Sequence, residues 1–164
     1  EAATMKSRRL RIALLGWLVI LSLAVPALAG SPRNFRAHLS QEAPGVETQA
    51  QGQAIFQLNK DGTEISYKLI VANIEDVTVA HIHLGGAGAS GPPIVFLFGP
   101  AAPPVTQNGV LIEGSFTEAN LIPRPALGFS GTFAELLDLM ASGGVYVNVH
   151  TTAYPGGEIR GQIH

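Results

Sequence analysis

The strongest constraint on this chain is an alternation of apolar and polar residues, broken by turn-forming residues about every ten positions. Residues 53–59 alternate with Ala54, Phe56 and Leu58 on one face, and residues 64–71 with Ile65, Tyr67, Leu69 and Val71 on one side. Between them Lys60-Asp61-Gly62-Thr63 reads as a tight turn, because Asp-Gly supplies the positive φ that a hairpin needs. A period of two suits a strand with one buried face. The same reasoning places strands at residues 35–39, 77–84, 94–98, 110–116, 145–151 and 158–163, with Gly114 marking a bulge. Residues 41–53, 85–93 and 99–108 read as loops, residues 73–76 as a second turn, and residues 118–130 as irregular, with Pro123 and Pro125. One helix is expected after Thr132. Thr132 and Glu135 have capping-box spacing, Phe133, Leu136, Leu137 and Met140 form an apolar stripe, and Gly143 or Gly144 ends it. Short strands, frequent turns and a single helix predict an all-β sandwich or barrel.

Residues 1–29 are expected to lie outside this fold. Met5 opens a stretch with basic Lys6, Arg8, Arg9 and Arg11, an uncharged apolar run over residues 12–24, and Ala27-Leu28-Ala29. That is the order of a secretory signal peptide, with cleavage after Ala29. The apolar run is short for the ~20 residues of a spanning helix. Residues 30–34 then read as a lead-in, and residues 35–164 as one domain, exported to a periplasm or secreted, with no membrane attachment after cleavage. Four of the ten basic residues and one of the twelve acidic ones precede Gly30, so six basic groups face eleven acidic ones, a net charge of −5. That balance offers no basic patch to nucleic acid or anionic lipid. With no cysteine, disulfides play no part, and stability rests on the core or on a ligand.

Gly86-Ala87-Gly88-Ala89-Ser90-Gly91 matches a dinucleotide-binding fingerprint literally. The context rejects it. Pro92-Pro93 and a β run follow where a helix must open, and the first acid downstream is Glu113.

The residues that carry chemistry are histidines. Three of the five lie in Ala80-His81-Ile82-His83-Leu84 and Tyr146-Val147-Asn148-Val149-His150-Thr151. Strand parity puts His81 and His83 on one face and Ile82 and Leu84 on the other; likewise Tyr146, Asn148 and His150 oppose Val145, Val147 and Val149. The apolar sets mark the core, so all three histidines are expected to point away from it. Imidazoles at i and i+2 stand ~6.5 Å apart and can converge on one ion at ~2.0–2.1 Å, and a third from a neighbouring strand completes a three-nitrogen set. Such a set suits copper(II), zinc or nickel. Its affinity is expected to fall between about pH 7 and 5, as imidazoles with ordinary values near ~6.5 protonate. The plainer alternative is that the histidines cap a sheet end by hydrogen bonding to loop carbonyls; the pattern alone leaves both open. Glu158 and Arg160 share a face of the last strand. They are candidates to orient an imidazole or steer an anion, against the simpler reading of a cross-strand ion pair. Asn148 is a further supporting candidate, or a polar group that satisfies a turn. His38 and His164 are conceivable additions, although His164 ends the chain and is expected to fray. No catalytic nucleophile arrangement stands out.

Three stretches together carry a family resemblance: Ala80-His81-Ile82-His83-Leu84-Gly85 with Gly91-Pro92, Tyr146-Val147-Asn148-Val149-His150-Thr151, and Gly156-Gly157-Glu158-Ile159-Arg160-Gly161-Gln162-Ile163. Residues 35–163 are identified by them as resembling the chordin-type, or CHRD, domain. That family is named after an extracellular morphogen-binding protein of animals, and bacterial members are single domains behind a signal peptide. Gln41-Glu42-Ala43-Pro44-Gly45 departs from the Glu-Val-Pro-Pro stretch common in it. A looser similarity reaches copper-zinc superoxide dismutase, a Greek-key barrel. By that analogy His81, His83 and His150 fall where copper ligands would be, but the zinc loop, the disulfide and the bridging histidine have no counterpart. The resemblances imply a Greek-key-like sandwich or barrel. They imply a non-catalytic module binding an extracytoplasmic protein or ligand, with a copper or zinc site. The alternatives are a dismutase-like copper oxidoreductase and a purely structural envelope domain.

Overall fold

The computed structural model describes residues 33–164; the expected signal at residues 1–29 lies outside them. Among these residues seven strands form, in order β1 (Asn34–Gln41), β2 (Gln51–Leu58), β3 (Glu64–Leu84), β4 (Pro93–Phe98), β5 (Val105–Thr117), β6 (Val145–Thr151) and β7 (Ile159–Gln162), with one α-helix, α1 (Phe133–Ser142), between β5 and β6. All the pairings are antiparallel. β2 pairs β1, β1 pairs β7, β7 pairs β6, β6 pairs β3, and β3 returns to β2. These contacts close a ring of five strands, so the sandwich-or-barrel choice resolves to a barrel, with β4 and β5 added along β3.

The alternation explains the barrel interior. Leu39, Phe56, Ile65, Leu69, Ile82, Val147 and Ile159 are each fully buried in one cluster. Each removes most of its side chain from water, at roughly 1.5–3 kcal/mol per large residue. α1 adds Leu136 and Met140 to the same cluster. Its N-terminus is capped as expected, with the Thr132 hydroxyl accepting from Glu135 N–H, and Gly143 closes it at φ 69°.

Several boundaries differ from expectation. Residues 73–76 do not reverse the chain. Asn73 and Asp76 adopt left-handed φ values of 55° and 50° inside β3, which bends and continues for 21 residues. The register with β5 shifts on both sides of Ile74. Turn-forming residues here make bulges because their backbone N–H groups find side-chain acceptors: Asn73 donates to Asn108 Oδ1 at 2.7 Å and Asp76 to Thr106 Oγ1 at 3.1 Å. β5 begins at Val105, inside the expected loop, and β2 at Gln51. Residues 118–130 hold two short 3₁₀ turns. His164 does not fray: its N–H and carbonyl both pair with the backbone of Arg36, at 3.0 and 2.9 Å.

The long β3 is what positions the histidines. Its first half lies between β2 and β5, and its second half between β4 and β6. His81 and His83 are therefore flanked by neighbours from both sides.

Candidate metal centre

The register places His81 opposite Asn148, His83 opposite Tyr146, and Val79 opposite His150. The histidines thus occupy adjacent rows of one face, turned away from the barrel interior as parity predicts. They are not open to water, however. Each residue is 8% exposed. The cover is local: Phe96 of β4 sets its ring against the His81 ring at 4.3 Å and 87°, and Tyr146 stacks on His83 at 5.1 Å and 21°. The chain around Gly91 and Pro155 closes over His83 and His150.

One nitrogen from each ring faces the other two. His81 Nδ1 lies 3.3 Å from His150 Nε2 and 3.3 Å from His83 Nε2. The three lie within 4.8 Å of one another, and among the described residues no other trio of histidine and acid groups converges in this way. The outer nitrogens fix the tautomers. His83 Nδ1 sits 2.8 Å from the Gly91 carbonyl and His150 Nδ1 sits 2.9 Å from the Pro155 carbonyl. A carbonyl only accepts, so each Nδ1 carries the proton and each Nε2 turns a lone pair inward. A neutral His81 can supply at most one proton to this space. At least one lone pair then lacks a donor, whereas a single cation between the rings satisfies all three. Two nitrogens bound at ~2.05 Å in a tetrahedral arrangement stand about 3.3 Å apart, which the two separations from His81 match. Residue type, the tautomers of His83 and His150, and the spacing about His81 fit a metal ion.

Charge on the imidazoles is disfavoured. His81 is lowered to about 4, first by burial and then by His150 and His83. His83 is lowered by burial, opposed by the Gly91 carbonyl and reinforced by His150 and Arg160. His150 is lowered by burial against the opposing Pro155 carbonyl. Protons therefore compete for this site only at lower pH than the ordinary imidazole value suggests. This shifts the expected loss of a bound ion to lower pH than ordinary imidazoles would give.

The proposed supporting residues are placed differently from their expected roles. Glu158 is buried and accepts from Thr48 and Thr151 hydroxyls, at 2.6 and 2.7 Å. Arg160 does not pair with Glu158; its nearest carboxylate is Glu42, at 3.7 Å. It donates to the Gly86 carbonyl and to Gln162 Oε1, both at 2.9 Å, and lies over the Tyr146 ring at 3.3 Å. Neither residue hydrogen-bonds a histidine among the described contacts, because backbone carbonyls already hold the outer nitrogens. Asn148 is 2% exposed, with Nδ2 reaching Gly156 O at 3.4 Å and Oδ1 unpartnered. His38 and His164 are exposed and stand apart from the trio. Sequence reasoning missed Phe96 and Tyr146. Tyr146 was on the correct face by parity; Phe96 lay in a continuous apolar run where parity says nothing. The glycine loop follows from packing: a Cβ on Gly91 would lie 1.7 Å from the Leu84 carbonyl oxygen, so only glycine brings its own carbonyl to His83 Nδ1.

No helix among the described residues is long and apolar enough to cross a membrane. Comparisons with curated proteins and with solved structures return no match. A family model described as the CHRD domain matches residues 35–163. That span takes in all seven strands but the first residue of β1, together with the helix and the three histidines. By this match over most of its length, the chain belongs to the CHRD domain family.

Proposed function

We propose that the chain is an exported, non-catalytic binding module in which His81, His83 and His150 hold one copper or zinc ion. The observation that supports it is the convergence of Nδ1 of His81 and Nε2 of His83 and His150, with two tautomers set by carbonyls so that lone pairs meet. Such an arrangement is electrostatically poor without a cation, and a cation satisfies the three inward lone pairs, while the buried outer Nε2 of His81 has no partner. Its ligands come from β3 and β6, so a bound ion ties two strands of the barrel together. The protein's contribution is to hold the imidazoles neutral, orient them through Gly91 and Pro155, and shield the ion beneath Phe96 and Tyr146. Export rests on the basic, apolar and Ala-Leu-Ala order of residues 5–29. The partner is an extracytoplasmic protein or ligand.

Titration calorimetry of the purified protein with copper and with zinc tests the reading, alongside His81→Ala. One-to-one binding that the substitution abolishes is expected. Binding indifferent to His81→Ala, or none, removes the metal from the proposal. Superoxide consumption by the loaded protein, lost in His83→Ala and His150→Ala, would replace the non-catalytic reading by an oxidoreductase.

A further inference from the structure

We propose that the three-histidine cluster selects monovalent copper, Cu(I), over zinc and Cu(II), with Arg160 as the fixed charge that sets the preference. The inference rests on the metal reading above and goes further, naming the ion and the residue that chooses it.

The donor set carries no negative charge. All three donors are imidazoles, and the outer nitrogens of His83 and His150 bond neutral carbonyls of Gly91 and Pro155. Among the described residues no carboxylate joins the trio. An ion at this site keeps its full charge, where a coordinating or hydrogen-bonding acid would offset part of it.

A partly buried cation stands one aromatic ring away. His83 stacks on Tyr146 with centroids 5.1 Å apart, and the Arg160 guanidinium carbon lies 3.3 Å from the Tyr146 centroid. β6 carries Tyr146 and pairs with β3 on one side and β7 on the other, so His83 and Arg160 approach Tyr146 from opposite strands. The Arg160 side chain is 10% exposed and is anchored on Gly86 O and Gln162 Oε1. It is not free to swing into solvent. The charge faces the cluster through the Tyr146 ring, against which both His83 and Arg160 are packed. The acid within ion-pair range of Arg160 is Glu42, at 3.7 Å; burial raises its carboxyl above the ordinary value and Oε2 has no partner. Held at 3.7 Å, beyond hydrogen-bond distance, Glu42 offsets Arg160 only in part. Across about 8 Å at an effective dielectric near ~20, a full fixed charge disfavours each unit of ionic charge roughly thirtyfold, and on the order of tenfold once Glu42 offsets part of it. A divalent ion feels that twice and Cu(I) once.

Coordination number points the same way. The described residues supply three nitrogens, and the rings are each 8% exposed beneath Phe96 and Tyr146. Zinc takes four ligands and Cu(II) a tetragonal set, so each requires water at this shielded place. Cu(I) is stable with three imidazoles.

The test is competition against chromophoric chelators, using the full chain: Cu(I) under anaerobic ascorbate, and zinc and Cu(II) separately. Each is measured for wild type, His81→Ala, Arg160→Gln, Arg160→Lys and Glu42→Gln. One Cu(I) is expected to bind and to be lost in His81→Ala. The ratio of Cu(I) to zinc affinity should fall about tenfold in Arg160→Gln, hold in Arg160→Lys, and rise in Glu42→Gln. Glu42→Gln moves the ratio in the opposite direction, so misfolding of an Arg160 variant does not mask the result. If metal binds through His81 but the ratio ignores both charge changes, or zinc displaces Cu(I), the selectivity fails and the metal reading stands. If no metal binds, both fail.

Discussion

His83 shows how one residue is held for a task. Its Nδ1 proton is taken by Gly91 O, its ring is stacked on Tyr146, and its Nε2 is left facing His81. Gly91 controls the first of these, because a Cβ there meets the Leu84 carbonyl. Gly91→Ala is expected to lower metal affinity roughly 10–100-fold through loss of this outer bond. It should also destabilise the fold by about 2 kcal/mol or more. Titration and urea unfolding of the same variant read the two effects. The titration of the histidines makes a second prediction for the metal-free protein. His81, lowered to about 4 in the fold, takes its proton near ~6.5 when unfolded. Between those values the unfolded chain binds protons that the folded one refuses. Stability is therefore full above about pH 6.5 and declines as pH falls toward 4. Urea midpoints at pH 7.5, 6 and 5 should drop in that order, with a shallower decline in His81→Gln.

At the scale of elements, β3 carries the design. A strand of 21 residues serves two neighbourhoods, and the bend between them lies at Asn73 and Asp76. Left-handed φ costs an ordinary residue roughly 1–2 kcal/mol, and a β-branched one is least tolerant. Asp76→Val should destabilise by about 1–2 kcal/mol, while Asp76→Gly stays near wild type. Thermal melts of the pair separate backbone conformation from loss of the carboxylate. At α1, Thr132→Ala removes the acceptor for Glu135 N–H and is expected to cost about 1 kcal/mol. The Thr132 side chain bonds Glu135 N–H and not His81, His83 or His150, so metal affinity should be unchanged.

For the whole molecule, the ring closes at a short seam. β1 meets β7 through Ser40 with Arg160 and Gln41 with Ile159, and Arg36 with His164 extends the seam by two backbone bonds. A metal that joins β3 to β6 acts on the same ring. At a free concentration one hundred times Kd, ligand binding adds about 2.7 kcal/mol to stability. Copper should thus raise the melting temperature of the wild type by several degrees and leave His81→Ala unmoved. Differential scanning calorimetry with and without metal measures both.

Much of this was determined by the sequence alone. Alternation is a local property, so the β2–β3 hairpin, the capped helix and the faces of His81, His83 and His150 could be read residue by residue. Local signals also misled. Asn73 and Asp76 are turn formers, but Asn108 and Thr106 from a distant strand satisfied their N–H groups and made bulges. What only the tertiary structure decided was which strands are neighbours: the pairing of β3 with β6 that brings His150 to His81, and of β3 with β4 that lays Phe96 over them. Burial of an outward face depends on such partners. So do the carbonyls of Gly91 and Pro155, which set the imidazole protons, and Arg160, which turned to Tyr146 and Glu42 instead of Glu158. A sequence states what each residue offers, while long-range pairing decides what it meets, because the free energy of closing the barrel is shared by all its strands.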